Sequence, residues 1–284
     1  MNQIESPPSP NVTSTLEEQA QTVSDCCENC GHETLSRFEV EKGNCFLVCP
    51  QCLLYQKREQ PPLEHYESNY HTTYASRRNY KILTALTRLG ALTKYLDVDH
   101  PKMLDVGCSI GATVEAAVRL GWDAHGVDVS KTAVQYCVDQ GLQCQPIDGL
   151  RLPFEDNSFD VVTSWHVIEH VEDVKATLAE WYRVVKPGGI LVLETPDSQC
   201  WKARRLGTEY KHFWPFDHLY TFTRSNMCSF LETAGFEVLP SRVLGKLNSV
   251  PLHVTAYALA YRSYRKLYRT LGWCKSIEVC ARKV

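Results

Sequence analysis

A turn with two glycines, within residues 101–111, carries the most readily interpreted chemistry of this chain. Its sequence is Pro-Lys-Met-Leu-Asp-Val-Gly-Cys-Ser-Ile-Gly. The apolar run before the first glycine predicts a strand, and the stretch Ala112–Gly121 predicts the helix that follows. Gly107 and Gly111 have no side chain to collide with a ligand, so the backbone can approach one closely. The turn therefore predicts a cofactor site at the carboxyl end of a strand.

The next predicted strand, Ala124–Val129, carries an acidic residue near its end, Asp128. Such a carboxylate can accept hydrogen bonds from both hydroxyls of a ribose. A dinucleotide site would show the pattern G-x-G-x-x-G facing a pyrophosphate, whereas three residues separate Gly107 from Gly111 here. Asp105 would repel a pyrophosphate but suits a ligand that carries an ammonium and a sulfonium. We therefore expect a sulfonium nucleoside.

The run Leu-Asp-Val-Gly-Cys-Ser-Ile-Gly closely resembles the first motif of the class I S-adenosylmethionine-dependent methyltransferases. In that family the first motif binds the methionine end of the cofactor, the acid after the second strand binds the ribose, and residues after the third strand meet the adenine. The resemblance implies the following cofactor-binding residues: Asp105, Gly107, Cys108, Gly111, Asp128, Val129, Asp148, Gly149 and Trp165.

Further segments extend this resemblance over roughly residues 80–240 and to the end of the chain. The third to fifth strands are predicted at Gln143–Asp148, Phe159–Trp165 and Ile190–Glu194, and Ser276–Ala281 supplies a closing antiparallel strand. The resemblance implies an α/β fold, a Rossmann-like seven-stranded methyltransferase sheet of order 3-2-1-4-5-7-6 with helices on both faces. A small zinc ribbon is expected to precede it.

The ribbon is predicted from two C-x-x-C pairs, eighteen residues apart, that can supply four thiolates to one metal ion. The candidate ligands are Cys27, Cys30, Cys49 and Cys52. A redox pair and free structural cysteines are the alternatives, and Cys26 and Cys45 are spare sulfurs nearby. Thirteen cysteines without a secretion signal suggest a reducing compartment, so we expect a cytoplasmic protein with structural zinc.

Four parts are expected along the chain: a disordered tail at 1–24, the zinc ribbon at 25–60, a helical lid or linker at 61–100, and the cofactor domain at 101–284. This order of parts resembles that of a bacterial methyltransferase group with an N-terminal zinc ribbon. Tyr66, Tyr70 and Tyr74 recur at helical spacing in the lid and could form a stacking wall or a packed stripe. A substrate-side loop is placed at 200–223 and a helical insertion at 252–271.

The methyl acceptor must meet groups that follow the fourth and fifth strands, because those carboxyl ends adjoin the sulfonium. A hydroxyl acceptor also needs a base for its proton. His218 is the first candidate, followed by His166 and His212, although each could be a packed loop histidine. The pair Glu169-His170 resembles one in the quinone-pathway O-methyltransferases; it could orient its loop or contact a divalent ion.

The charge distribution bears on the acceptor. Residues 201–284 carry fourteen Lys and Arg against five Asp and Glu, whereas the whole chain has a net charge of −3. This suggests an anionic acceptor, such as a phosphate-linked glycan, or contact with a membrane surface, although the basic face could simply be solvated. The reaction we expect is O-methylation of a small or carrier-linked acceptor, such as a sugar, a phenol or a quinone-like ring. No apolar run is long enough to span a membrane.

Two other functions remain open. An RNA methyltransferase could use the ribbon for substrate binding, but the ribbon region is not notably basic, so nucleic acid is not expected as the partner. A regulator that binds the cofactor without turnover is the second alternative.

Overall fold

The computed structural model describes residues 22–40, 44–57, 77–213, 215–240, 263, 267 and 275–284. The strands are β1 Thr22–Ser24, β2 Thr34–Glu39, β3 Cys45–Val48, β4 Tyr55–Gln56, β5 Lys102–Val106, β6 Asp123–Asp128, β7 Gln143–Pro146, β8 Phe159–Trp165, β9 Val185–Pro196, β10 Tyr220–Thr221, β11 Phe236–Val238 and β12 Ser276–Lys283. The helices are α1 Arg78–Leu92, α2 Ala112–Arg119, α3 Lys131–Asp139, α4 Val174–Val184, α5 Trp201–Leu206 and α6 Arg224–Thr233. Short 3₁₀ turns lie at Thr93–Tyr95, Gly207–Glu209 and Lys211–Phe213.

The larger sheet has seven strands in the order β11-β12-β9-β8-β5-β6-β7. Counting its strands along the chain from β5, the order read from the other edge is 3-2-1-4-5-7-6, which confirms the predicted topology. The pairs from β7 to β9 are parallel, and β12 is antiparallel to both β9 and β11. The carboxyl ends of β5, β6 and β8 therefore meet at one edge, where a ligand can bind at the reversal of strand order.

Helices cover both faces of this sheet and bury its central strands. On one face the apolar stripe of α1 packs with α2 against β5, β8 and β9; its buried members are Ile82, Leu86, Leu89 and Leu92, as the helical periodicity predicts. On the other face, α4 and α6 contribute Trp181 and Phe230 to a second cluster with Leu104 and Leu193. Burial on both faces explains the near-continuous apolar character of the central strands.

Some element boundaries differ from the prediction. The third strand ends at Pro146 rather than Asp148, because its partner β6 ends at Asp128, the residue that pairs with Pro146. The fifth strand is longer, because β9 already begins at Val185, directly after α4. Thr22–Ser24 forms β1, so the ribbon begins three residues inside the segment expected to be a disordered tail.

The N-terminal ribbon forms a second sheet, with strands in the order β1-β2-β3-β4-β10. The last strand, β10, belongs to the segment predicted as the substrate-side loop, and it pairs antiparallel with β4. The ribbon is thus joined by backbone hydrogen bonds to the segment that leads into α6.

Several predicted features fall outside the described residues. They are the first 21 residues, the Tyr66, Tyr70 and Tyr74 stripe, and the helical insertion apart from Ser263 and Leu267. Among the helices that the structure describes, none has both the length and the apolar character needed to cross a bilayer.

Candidate active site and cysteine cluster

The cofactor turn between β5 and α2 depends on its two glycines. Gly107 has φ +75°, and a Cβ there would lie 2.2 Å from Cγ2 of Val167. Gly111 has φ +71° and begins α2; a Cβ there would lie 2.9 Å from Sγ of Cys137. The N–H groups of Gly107 and Cys108 both donate to the carbonyl of Val127, at 2.8 and 2.9 Å. The left-handed backbone and the close neighbours strongly disfavour other residues at both glycine positions.

Asp128 ends β6 directly beside this turn. Its Oδ2 accepts a hydrogen bond from the N–H of Ser109 at 2.7 Å, and its Oδ1 accepts one from the N–H of Ser130 at 2.9 Å. Both carboxylate oxygens are therefore fixed in direction. Ser109 itself has φ +49°, so the turn keeps a non-glycine residue in the left-handed region to aim its N–H at this carboxylate.

Asp105 lies on β5 just before the turn and is 1% exposed. Its Oδ1 accepts a hydrogen bond from Oγ1 of Thr163 at 2.6 Å. Burial raises the pKa of Asp105 to about 7, against the hydrogen bonds from Thr163 and Thr113, and the charge of Asp128 adds to the increase. Burial also lowers the pKa of Lys81 on α1 to about 8, although Asp105 opposes that shift. A cationic group brought to Asp105 would favour its ionised form.

The residues predicted to meet the adenine and the rest of the nucleoside lie around the same edge. The N–H of Ile147 donates to the carbonyl of Asp128 at 3.0 Å, which places Asp148 and Gly149, both exposed, next to the end of β6. Val129 is 40% exposed beside Asp128. Trp165 ends β8, and the guanidinium of Arg88 lies over its ring at 4.4 Å from the centroid.

His166 follows β8 with φ +57° and forms a pair with Glu169. Nδ1 of the imidazole lies 3.0 Å from Oε1 of the fully buried Glu169, whose Oε2 accepts from Oγ1 of Thr195 at 3.0 Å. Desolvation lowers the pKa of His166, but the hydrogen bond and charge of Glu169 outweigh it, so the pKa is raised overall. Desolvation likewise opposes ionisation of Glu169, yet His166 and the neighbouring histidines hold its pKa below the ordinary value.

His218 and His212 come from the loop before β10. Nδ1 of His218 lies 3.0 Å from the carbonyl of His212, and its ring packs edge-on against His170 with the centroids 4.8 Å apart. His170 in turn has Nδ1 2.8 Å from the carbonyl of Asp217. Burial lowers the pKa of both His218 and His212 to about 4, and the charge of His170 lowers that of His218 further. Glu169, His170 and His218 each present a ligand atom within 4.8 Å of the other two.

The four predicted metal ligands also converge, because their sulfur atoms all lie within 4.8 Å of one another. Sγ of Cys27 is 3.5 Å from Sγ of Cys52, and Sγ of Cys30 is 3.5 Å from Sγ of Cys49. The two turns share one hydrogen-bond pattern. The carbonyls of Cys27 and Cys49 each accept from the residue four positions on, and their N–H groups each donate to the residue five positions on. A matched pair of tight turns with four sulfurs suits a tetrahedral thiophilic ion.

A family comparison identifies the cofactor domain. The family model for a methyltransferase domain matches residues 74–241, more than half of the chain. The chain belongs to this methyltransferase family. The fold is that of a class I S-adenosylmethionine-dependent methyltransferase.

Two curated relatives and one solved structure show the range of similarity. The ubiquinone biosynthesis O-methyltransferase of Methylococcus capsulatus is 31% identical over 159 residues, which cover 52% of this chain and 67% of the relative. The protein of the same name from Rhodopseudomonas palustris is 35% identical over 121 residues, covering 40% and 47%. An S-adenosylmethionine-dependent methyltransferase from Thermotoga maritima, described as a possible histamine N-methyltransferase, has a TM-score of 0.52 at 18% identity and covers 78% of this chain and 100% of its own. This chain spans about half the length of most of the curated relatives it matches.

The structure brings the predicted cofactor residues to one edge of the larger sheet, whereas the sequence did not indicate several of their partners. The spacing of Glu169 three residues after His166 could have indicated their contact, whereas nothing in the sequence pointed to Thr163 or Thr195. Sequence reasoning also missed a second group of thiols beneath the cofactor turn, in which Cys108, Cys137 and Cys144 have sulfurs within 4.8 Å of one another.

Proposed function

We propose that this methyltransferase transfers the methyl group of S-adenosylmethionine to a hydroxyl oxygen of a small molecule, with His166 as the general base. The observation that carries the proposal is the contact between His166 and the buried, ionised Glu169. A carboxylate can only accept a hydrogen bond, so Nδ1 of His166 carries the hydrogen and Nε2 keeps a lone pair. An imidazole in that state can take a proton from an acceptor hydroxyl.

In the proposed reaction the acceptor oxygen attacks the methyl carbon in line with the breaking carbon–sulfur bond. The sulfonium leaves as the neutral thioether of S-adenosylhomocysteine, and the hydroxyl proton passes to Nε2 of His166. Because the methyl group is already activated, alignment and exclusion of water supply most of the rate. Glu169 stabilises the imidazolium that forms, and Thr195 holds the second oxygen of that carboxylate in place.

His166 is preferred to His218 as the base because of solvent access and basicity. The side chain of His166 is 46% exposed at the end of β8, whereas His218 is 8% exposed. Since burial lowers the pKa of His218 and His212 to about 4, both rings are weak bases at neutral pH. We assign His218 and His212 to the positioning of the acceptor, as neutral hydrogen-bonding rings.

The proposed cofactor contacts lie at the carboxyl ends of β5, β6 and β8. Asp105, Gly107, Cys108 and Gly111 would hold the methionine end, and Asp128 with Val129 the ribose. Asp148 and Gly149 would meet the adenine, and Trp165 would flank the reacting end. Asp105 supports this assignment, because an ammonium would compensate the cost of ionising a buried carboxyl.

For the cysteine cluster we propose a structural zinc ion held by Cys27, Cys30, Cys49 and Cys52. The four converging sulfurs and the paired turns support this choice over a redox pair, since a redox site would need only two thiols. The hydrogen bond with Cys52 and burial raise the pKa of the Cys27 thiol, so this group ionises when a cation is present to compensate its charge.

The names of the curated relatives support a ring hydroxyl as acceptor. Both of the relatives described above are ubiquinone biosynthesis O-methyltransferases, so we propose a phenolic or quinone-like ring. The excess of basic residues after position 200 supports an anionic or carrier-linked form of it. We also propose a cytoplasmic location, because thirteen cysteines suit a reducing compartment. The four-part division of the chain is proposed with the ribbon beginning at Thr22, where β1 starts.

The test is methyl transfer from labelled S-adenosylmethionine to a catechol probe, 3,4-dihydroxybenzoate, and to lipid, soluble and RNA fractions of a cell extract. We expect label in the catechol or the small-molecule fraction, and a rate about 10²-fold lower in His166→Gln. His100→Gln is the matched control, because His100 lies before β5 with Nδ1 against the carbonyl of Gly121. Label in RNA alone would favour the nucleic-acid alternative. Tight cofactor binding without any transfer would favour the regulator.

A further inference from the structure

We infer that the cysteine ribbon is a positioning element of the acceptor side: metal binding at the four cysteines orders the loop that carries His212 and His218, and leaves cofactor binding unaffected. The acceptor role of that loop rests on the function proposed above.

The ribbon and the loop share a sheet. Tyr220 and Thr221 of β10 pair with Gln56 and Tyr55 of β4, and the N–H of Lys57 donates to the carbonyl of Leu219 at 2.8 Å. The last strand of the loop, β10, is therefore part of the ribbon's sheet. His218 is the residue directly before this paired segment, so its backbone position follows from the pairing.

The first cysteine turn contacts the loop through Glu28, which lies between Cys27 and Cys30. The hydroxyl of Tyr220 donates to Oε2 of Glu28 at 2.5 Å. Gln56, which is fully buried, supports the same turn: its Oε1 accepts from the N–H of Glu28 at 3.2 Å and its Nε2 donates to the carbonyl of Cys26 at 3.1 Å. A displacement of this turn would therefore break or move the hydrogen bond of Tyr220.

The second cysteine turn contacts the methyltransferase domain at a different point. The carbonyl of Cys52 accepts a hydrogen bond from Nδ2 of Asn226 at 3.2 Å. Oδ1 of the same Asn226 accepts from the N–H of Thr223 at 2.9 Å, which completes the cap of α6 directly after β10. A metal ion that joins the two turns would therefore hold both the start and the end of the segment from Tyr220 to Asn226.

The loop is also held further upstream by ribbon side chains. Phe213, 1% exposed, packs among the rings of Phe38, Phe46 and Tyr55, with centroids 5.0 to 5.9 Å apart. Nδ2 of Asn44 donates to the carbonyl of Phe213 at 3.0 Å, and Nζ of Lys57 donates to that of Phe216 at 2.7 Å. Because Phe213 follows His212, whose carbonyl meets Nδ1 of His218, these contacts fix both histidines.

The turn after β5, proposed to bind the cofactor, has no hydrogen bond from the ribbon among those named above. The turn after β5 is fixed by Val127 and Asp128, and neither belongs to the ribbon. A two-residue strand such as β10 is marginal without its partner β4, even though the N–H groups of Leu219 and Tyr220 also donate to the carbonyl of Glu169, at 2.8 and 3.1 Å. Loss of the ribbon fold should thus release the loop while the parallel sheet keeps its cofactor turn.

Hydrogen–deuterium exchange of the full-length protein tests this without any acceptor. We compare zinc-loaded protein, protein treated with a zinc chelator, and the variant Cys30→Ser. Metal loss is expected to speed exchange in residues 215–222 by at least about tenfold and to leave residues 105–112 unchanged. The affinity for S-adenosylhomocysteine, measured by calorimetry, should change less than twofold. The matched control is Cys26→Ser, since Cys26 is the neighbouring sulfur outside the four-cysteine cluster.

A second variant tests the contact itself. Tyr220→Phe keeps the ring and removes the hydrogen bonds of its hydroxyl to Glu28 and to the carbonyl of Glu172. The expected result is a KM for 3,4-dihydroxybenzoate raised about threefold to tenfold with kcat within about twofold. Protection of residues 215–222 that survives metal loss, or loss of S-adenosylhomocysteine binding along with the metal, would overturn the inference. Failure of the catechol probe alone would count against the proposed function, because the exchange result does not depend on turnover.

Discussion

The N–H of Ser109 donates to Oδ2 of Asp128 at 2.7 Å, which joins the cofactor turn to the end of the neighbouring strand. The contact requires Ser109 to adopt φ +49°, in the left-handed region. Since Asp128 also accepts from the N–H of Ser130, the carboxylate is oriented before any ligand arrives. Such preorganisation lowers the entropy lost when the ribose hydroxyls bind.

Replacement of Asp128 by Ala should abolish measurable binding of S-adenosylhomocysteine. Two hydrogen bonds to a charged group are together worth about 3 to 6 kcal/mol, so we expect the Kd to rise by at least about 10²-fold. Calorimetry measures the Kd, and circular dichroism checks that the fold persists. Asp123→Ala, at the opposite end of β6, is the control and should bind normally. Undiminished affinity in Asp128→Ala would refute the ribose assignment.

Cofactor affinity should depend on pH through Asp105. Because burial raises the pKa of Asp105 to about 7, the protein must release a proton there before the carboxylate can pair with an ammonium. Affinity for S-adenosylhomocysteine is therefore expected to increase about tenfold from pH 6 to pH 8. Calorimetry in buffers of different ionisation enthalpy measures the released proton. In Asp105→Asn both the pH dependence and the proton release should disappear.

The same group affects stability with the opposite sign. Between its ordinary pKa of 3.8 and about 7, the folded protein without cofactor holds a proton that the unfolded chain has lost. The contribution of Asp105 to the free energy of unfolding thus decreases as the pH rises through this window. Urea titrations of the wild type and of Asp105→Asn at pH 5 and pH 8 should show this difference, and equal pH dependence in both proteins would contradict the raised pKa.

Glu169→Gln should move the pH profile of methyl transfer. The charge of Glu169 raises the pKa of His166, so activity in the wild type should increase with pH up to a pKa above 6.5. Without that charge, desolvation lowers the pKa of His166, and the acid limb is expected to shift to lower pH, with kcat reduced about 10- to 100-fold. Glu172→Gln, an exposed acid in the same loop, is the control and should keep the wild-type profile.

Gly107→Ala should destabilise the protein more than Gly188→Ala. Both glycines have positive φ, +75° and +77°, so both substitutions cost about 1–2 kcal/mol in backbone strain. At Gly107 the new Cβ would also meet Cγ2 of Val167 at 2.2 Å, whereas nothing lies within 4 Å at Gly188. We expect an additional loss of about 1–3 kcal/mol in Gly107→Ala, measured by urea denaturation, together with weaker cofactor binding. The double variant with Val167→Ala should recover the part due to the clash.

The cofactor turn could be read from the sequence because its geometry is encoded locally. Gly107, Gly111 and Asp105 lie within seven residues, and the backbone conformation of the turn permits few other residue types. The two C-x-x-C pairs were readable for the same reason, since each places two sulfurs in one tight turn. The strand order followed from the resemblance to the family, and the structure confirms it.

The roles of the histidines could not be read in this way. His166, His212 and His218 have the same ordinary pKa, and the sequence ranked His218 first. The folded environments separate them: burial lowers the pKa of His218 and His212 to about 4, whereas the charge of Glu169 raises that of His166. Such differences depend on which groups surround each ring, and a single sequence does not specify these neighbours.

The sequence by itself determined the family, the cofactor turn and the four converging cysteines, because each of these depends on residues close together in the chain. Only the tertiary structure decided that the ribbon completes its sheet with β10 and that Tyr220 bonds to Glu28, 192 residues away. A two-residue strand carries almost no propensity signal in the sequence. The pairing of β10 with β4 therefore depends on how the ribbon packs against the methyltransferase domain. Desolvation follows from the same packing, which is why the basicity of each histidine is a property of the fold.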